Sequence, residues 1–209
     1  MTEDTFRTIS CKAEGLYKSR GSKFLAFGYP VSSEQEIKNI ITGIRKKYHN
    51  AKHCCYAYRI GSINEISRMN DDGEPSNTAG KPIYRQIISN NLTNILIIVV
   101  RYFGGTLLGK GGLIKAYKSA ATDMLLNADI IIRTFTRLYK IDFDYSVMSE
   151  VLRILDREKL EQLENKYDQI CSVKIRISTD KEDNIISRLR RINSVEVSAI
   201  KDDLNDQGS

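Results

Sequence analysis

Three stretches of this chain carry residues whose types and spacing could do chemistry: 101-RYFGGTLLGKGGLIKAY-117, 71-DDGEPSNTAGKP-82 and 51-AKHCCYAYRIG-61. In the first, Gly104 to Lys110 has the G-x-x-x-x-G-K spacing of a phosphate-binding loop. A loop that hydrolyses nucleotides follows its lysine with a hydroxyl that ligates magnesium, and here that position is Gly111. The spacing therefore lacks a part that backbone contacts cannot supply. The glycines still need a reason, because Gly104, Gly105, Gly109, Gly111 and Gly112 increase the backbone entropy lost on folding. One reason is a tight strand-to-helix connection with positive φ and close backbone approach. The other is an anion seat, in which free N–H groups at a helix start are flanked by Arg101, Lys110, Lys115 and Lys118.

In the second stretch Asp71, Asp72 and Glu74 could hold a metal, but a calcium loop needs acids at alternate positions and a distant glutamate, and this spacing fails that template. The plainer reading is an exposed Asp-Gly and Glu-Pro turn that leads, past Lys81, into a helix capped by Thr78; a surface contact or a metal role, with these acids carrying Mg²⁺, is the alternative. In the third, His53 beside Cys54 and Cys55 invites a nucleophile or a zinc site. Neighbours on a strand point to opposite faces, however, and no C-x-x-C or H-x-x-x-H pair exists. A half-buried strand fits better, with Tyr56, Tyr58 and Arg59 either packed or offering stacking and charge to a nucleic acid. No catalytic residue, metal site or cofactor is expected.

The elements that must position these residues follow from periodicity. Ser33 to Glu36 reads as a capping box before an amphipathic helix with Ile37, Ile40, Ile41, Ile44 and Tyr48 on one face. Strands at Cys11–Tyr17 and Lys23–Tyr29 flank a turn at 19–22, and Cys54–Ile60 and Ile63–Met69 flank Gly61-Ser62. A helix after Thr78 takes Pro82 in its first turn, has Ile83, Tyr84, Ile87 and Ile88 as its inner stripe, and ends at Asn90-Asn91. The continuous run Ile95–Val100 suits a strand covered on both faces. A long helix begins near Gly112, with Leu113, Ala116, Tyr117, Ala120, Ala121 and Met124 inward. After Arg133 the pattern restarts: a strand through Tyr139 to Phe143, a helix through Val147 to Leu155, a weaker strand at Leu163–Tyr167, a strand through Val173 to Ile177, a capping box at Thr179 to Glu182 opening a helix, and a strand through Val195 to Ala199. That order is βαββαβ, the ferredoxin-like plan, followed by a polar tail at Asp202–Ser209 expected to fray.

Composition bounds the class. Hydrophobic residues at 41% and charged residues at 28% suit an α+β globular chain rather than a disordered one. The net charge of +6 favours polyanions without identifying one. Four irregularly spaced cysteines, Cys11, Cys54, Cys55 and Cys171, point to a reducing compartment. The acidic opening MTEDTFR lacks the order of a signal peptide, and Ile95–Val100 is too short to cross a bilayer, so a cytoplasmic chain without membrane contact is expected. Oligomeric state is not readable.

Taken together and in this order, AKHCCYAYRIG, NDDGEPSNTAGKP and VVRYFGGTLLGKGGLIKAY resemble the YigZ/IMPACT family over essentially the whole chain. The resemblance implies residues 1–134 as an N-terminal domain similar to the second domain of the fifth small-subunit ribosomal protein. It implies 137–203 as the ferredoxin-like module of the bacterial branch. It also implies a role near the ribosome, since eukaryotic members regulate translation through a protein partner. The family's usual DDGEPSGTAG holds Asn77 here in place of a glycine, and Asn tolerates positive φ better than most residues. A small residue is common in the family where Lys110 stands, which makes the lysine of the nucleotide-loop spacing a coincidence. The motif maps onto His53, Asp71, Asp72, Glu74, Pro75, Gly80, Arg101 to Gly105, Gly109, Gly111 and Gly112. The expected function is a non-enzymatic binding protein of translation that meets RNA or the ribosome through Arg101, Gly104, Gly105, Lys110, Gly111, Gly112 and Lys115, with His53, Asp71, Asp72, Glu74 and Lys81 as a motif surface. The alternatives are an enzyme acting on a nucleotide or phosphometabolite at the same loop, and a protein-interaction module of a stress response.

Overall fold

A computed structural model describes residues 5–61, 65–168 and 170–200. In chain order, Thr5–Ile9 (β1), Ala13–Ser19 (β2) and Ser22–Pro30 (β3) precede the helix Glu34–Lys47 (α1). His53–Ile60 (β4), Ile66–Asn70 (β5), Gly80–Ser89 (α2), Ile95–Tyr102 (β6), Gly109–Leu126 (α3) and Ile130–Thr134 (β7) follow. The chain divides between Arg133 and Thr134 into two compact units, the first beginning at Phe6. It is an α+β protein.

In the first unit five strands pair antiparallel in the order β2-β3-β6-β4-β5, and β1 and β7 form a separate ribbon. The central strand β6 explains the layers. Ile95, Ile97 and Val99 join a core with Ile83 and Ile87 of α2 and Leu113, Ala116 and Tyr117 of α3. Leu96, Ile98 and Val100 join a second core with Ile37 and Ile44 of α1. All six are fully buried, each stabilising the fold by about 1.5–3 kcal/mol. The run reads continuous because the sheet has helices on both faces. Cys54 and Cys55 accordingly fall into opposite cores. Tyr56 and Tyr58 are buried with Cys54, and Arg59 pairs with Glu65 at 2.7 Å, so this strand offers no stacking platform to a nucleic acid.

Ser33 caps α1 as expected, its hydroxyl accepting from the Glu36 amide at 3.2 Å while the Glu36 carboxylate takes the Ser32 amide at 2.8 Å. Two other expected caps do not form. Thr78 donates to the Pro75 carbonyl at 2.6 Å, and α2 starts at Gly80 behind Ala79 with no side-chain bond from its cap residue. The Thr179 hydroxyl donates to the Phe135 carbonyl, and Glu182 accepts from Arg137 and Tyr139, which leaves the next helix without a capping box. In both places the hydroxyl points to a backbone carbonyl rather than to the amides of the helix's first turn. Helix α3 starts at Gly109, three residues before the expected position. Residues 62–64, which include Ile63 of the expected strand and Ser62 of its turn, and the tail Asp202–Ser209 lie outside the described residues.

The second unit runs Thr136–Asp144 (β8), Met148–Arg157 (α4), Glu161–Tyr167 (β9), Ile170–Ser178 (β10), Glu182–Leu189 (α5) and Val195–Ile200 (β11). Its four strands pair antiparallel in the order β11-β8-β10-β9, the ferredoxin-like arrangement. Ile141, Phe143, Val173 and Ile175 face Val151, Leu155, Ile185 and Leu189 in one core. Among the described residues no helix is long and apolar enough to cross a membrane.

Candidate functional site

Strand register assembles the site. Phe24 of β3, Arg101 of β6 and His53 of β4 stand opposite one another across three neighbouring strands. Their row ends the face whose earlier members, Ile97 and Val99, pack under α2 and α3. Period two therefore delivers a guanidinium to the inner face. Arg101 is 5% exposed, its charged carbon 5.4 Å from the Phe24 ring and 5.6 Å from the Phe103 ring.

The loop after β5 brings the countercharge. Glu74 Oε1 accepts from Arg101 Nη1 at 2.6 Å and from the Tyr117 hydroxyl of α3 at 2.8 Å, and lies 3.8 Å from His53 Nε2. One carboxylate thus ties the loop to β6, the strand leading into the glycine-rich segment, and to α3, the helix leading out. His53 Nδ1 lies 2.8 Å from the Asp72 carbonyl. A carbonyl only accepts, so that nitrogen carries the hydrogen.

The two aspartates hold the loop itself. Asp71 Oδ1 accepts from the Ala79 and Gly80 amides, both at 2.9 Å, and Oδ2 from the Asn77 amide at 2.9 Å. A carboxylate eight residues upstream is thereby the cap that Thr78 was expected to be. Asp72 accepts from Arg45 at 2.7 Å and from the Cys54 amide at 2.6 Å. Asn77 has φ 64°, the left-handed conformation expected of it in the family's glycine position. All three acids are engaged by protein donors, so a magnesium ion here would have to compete with these bonds.

Cys54 and Cys55 are not nucleophiles poised for attack. Burial pushes the Cys55 thiol well above its ordinary range; Sγ donates to the Asp71 carbonyl at 3.0 Å and lies 3.4 Å from the Tyr117 hydroxyl. Cys54 is pushed up to about 11, chiefly by burial, against the pull of Arg45.

Two expectations are corrected. The sequence puts Arg101 at an anion seat and Glu74 on a motif surface, whereas both are buried against each other. A guanidinium at the end of an inward-facing strand meets a carboxylate before it meets solvent. His53, Asp71 and Asp72 are half-buried, and Lys81, Gly104, Gly105, Lys110, Gly111 and Lys115 are exposed, with Gly112 between. Periodicity marks Tyr117 only as core, and no motif marks Arg45. Nothing local in the sequence marks Ser22, whose hydroxyl accepts from the Gly104 amide at 3.1 Å.

The glycines divide by cause. A Cβ on Gly104 would fall 1.9 Å from the Gly21 carbonyl carbon, so the backbones need that approach. Gly105 and Gly109 have φ 87° and 69°. Gly111 has neither reason: it lies within α3, and a Cβ there would meet nothing within 4 Å. The Leu108 cap makes no side-chain bond to the first turn, which leaves helix-start amides beside Lys110.

The sequence match decides the kinship: the Impact N-terminal domain aligns with residues 20–125. This chain belongs to the IMPACT family. It is 34% identical over 166 residues to the IMPACT family member YvyE of Bacillus subtilis (strain 168), an alignment covering 79% of this chain and 76% of that one. It is 26% identical over 162 residues to the IMPACT family member YigZ of Escherichia coli (strain K12), covering 77% and 79%. Protein IMPACT of Mus musculus shares 33% identity over 95 residues, 43% of this chain but 29% of its own. A solved structure titled as a hypothetical protein matches the fold with TM-score 0.73 at 23% identity, covering 95% of this chain and 98% of that one. The bacterial IMPACT relatives thus align across most of their length, and the mouse protein across less than a third.

Proposed function

We propose that this IMPACT-family chain is a non-enzymatic cytoplasmic binding protein acting in translation or its regulation, and that it engages RNA phosphate or the ribosome through 104-GGTLLGKGGLIK-115. The observation that carries the reading is Gly111. Glycine inside a helix costs roughly 1 kcal/mol against alanine, and here neither φ nor packing accounts for it. An open approach to the amides of the first turn does account for it. Those amides, with Lys110 and Lys115 exposed beside them, would hold phosphate oxygens and position a strand without reading its bases. The buried Glu74–Arg101–Tyr117 cluster is the brace that holds this loop at its two ends. The link to translation comes from the family.

Co-sedimentation with ribosomes and binding to a short RNA, both across a salt series, test the reading. Affinity should fall steeply with salt, and Lys110→Ala with Lys115→Ala should reduce the slope of log K against log salt by roughly 0.7 each. Salt-independent binding, or none below high micromolar, would refute it. Magnesium-dependent binding of ATP or GTP that Lys110→Ala abolishes would show an enzyme's site instead. A protein that co-purifies after nuclease treatment would show an interaction module.

A further inference from the structure

The second unit carries a groove that the reading above does not use. It lies between α4 and the end of α5, has a volume of about 510 Å³, and is lined by Arg153, Arg157, Arg188 and Arg191 over Ile154 and Ile192. The one acid in the lining is Glu150. On α4 the lining positions 150, 153, 154 and 157 follow i, i+3, i+4 and i+7, so one helix face supplies half the groove. The facing wall comes from the last turn of α5 and the residues after it.

Electrostatics make this an unusual wall for a fold to build for its own sake. Arg153 and Arg157 are one helical turn apart, where like charges destabilise a helix, and Arg191 adds a third charge across the gap. None of these three makes a salt bridge among the described residues. Only Arg188 is paired, with Glu158, a partly buried contact that holds its guanidinium in place at the groove. The helix C-terminal dipoles reward Arg157 and Arg188. They do not explain Arg153, four residues earlier, or Arg191, beyond the helix.

We infer that this arginine groove is a second phosphate-binding site, and that its ligand is the phosphodiester backbone of an RNA strand. Guanidinium forks match phosphate oxygens in pairs, and four of them in one groove serve several phosphates rather than one. No aromatic ring, hydroxyl or amide side chain lines it, so nothing there stacks on a base or reads its edge. Recognition is therefore of charge along a backbone. The choice of RNA as the polyanion rests on the function proposed above; the groove itself stands on different residues in a different unit.

The test is fluorescence anisotropy of the whole chain with a short unstructured RNA across a KCl series. Substituting Arg153, Arg157 and Arg191 together by Ala should weaken binding several-fold at low salt. It should also lower the magnitude of the salt slope by about 2, at roughly 0.7 per single-strand phosphate released. The melting temperature of that variant should change little, because the relief of the Arg153–Arg157 repulsion offsets the lost dipole interaction of Arg157; a large fall would mark the arginines as structural and overturn the inference. Lysine at all three positions should keep the slope while losing part of the affinity. An unchanged slope in the alanine variant sinks the site. Inorganic tripolyphosphate that displaces RNA as well, phosphate for phosphate, as RNA displaces itself would make the groove a compact oligophosphate site and overturn the RNA assignment. The Lys110→Ala/Lys115→Ala variant separates the two readings. If it alone loses binding, the groove inference fails and the loop stands; if only the arginine variant loses binding, the reverse holds.

Discussion

Burying Glu74 strips water from its carboxylate, and the Arg101 guanidinium and the Tyr117 hydroxyl replace that water. Such a cluster is fragile to partial removal. Glu74→Ala leaves a guanidinium buried without its countercharge and should cost about 3–5 kcal/mol in urea unfolding. The triple change Glu74→Leu, Arg101→Met and Tyr117→Phe removes the charged and polar partners together and should lose less than the single variant. A triple variant less stable than Glu74→Ala would mean the cluster contributes more than mutual satisfaction. Cysteine reactivity is decided at the same scale. Cys54, Cys55 and Cys171 are buried, and burial raises the first two thiols. Iodoacetamide near pH 8 should therefore add one group to the folded chain, at Cys11, and four after denaturation, as read by mass spectrometry. Fast labelling of Cys55 in the folded chain would contradict the packing around Tyr117.

The elements depend on these residues through their ends. Asp71→Ala takes the acceptor from three amides, those of Asn77, Ala79 and Gly80, and should destabilise α2 by about 1–2 kcal/mol. Hydrogen exchange should speed up at those amides first; exchange that rises evenly over the unit would point to a global effect instead. Helix α3 gives the opposite sign. Gly111→Ala should stabilise the chain by up to about 1 kcal/mol and weaken RNA binding, whereas Gly104→Ala should destabilise it through contact with Gly21. A Gly111→Ala variant that binds RNA as the parent does would remove the main support for an open helix start. These elements also show how far the sequence could be read. Periodicity located α1, α3 and the elements of the βαββαβ unit, because one buried face per element repeats at 2 or 3.6 residues, while the unbroken apolar run located β6, which is buried on both faces. The caps expected at Thr78 and Thr179 do not form because a cap is a competition, and Asp71 and the Phe135 carbonyl are partners that distance in sequence conceals. The burial of Arg101 was legible, since 95, 97, 99 and 101 share a face; its pairing with Glu74 needed the path of the loop between them.

For the molecule as a whole, the titrating groups differ between its two units, and the sign of each determines where stability is lost. In the second unit Glu158 and Glu164 have lowered pKa values, through hydrogen bonds from Arg188 and Lys174. A lowered carboxyl contributes stability above its ordinary value of 4.5 that disappears as pH falls through the folded value. Glu164 is exposed and Glu158 half-buried in its pair with Arg188, so that acid-side loss should be small and should fade with added salt. In the first unit burial raises Cys54 to about 11 and Tyr58 to about 12, and raises Cys55 and Tyr117 further. The folded state then keeps protons that the unfolded chain releases, so stability falls once pH passes the ordinary thiol value of 9.0 and continues to fall through 11. Urea unfolding followed by far-UV circular dichroism from pH 7 to pH 11 measures this directly, since a chain with 11 Tyr and no Trp has a fluorescence that titrates with its own tyrosines. The expected result is a midpoint that is flat to about pH 9 and then declines, with amide protection lost first along β4, whose Cys55 meets Tyr117 of α3 on one face and whose Cys54 and Tyr58 join the α1 core on the other. A decline that begins in α4 and β9, or a midpoint that holds through pH 11, would mean that the thiols and phenols of the first unit are not sealed from water as the packing requires.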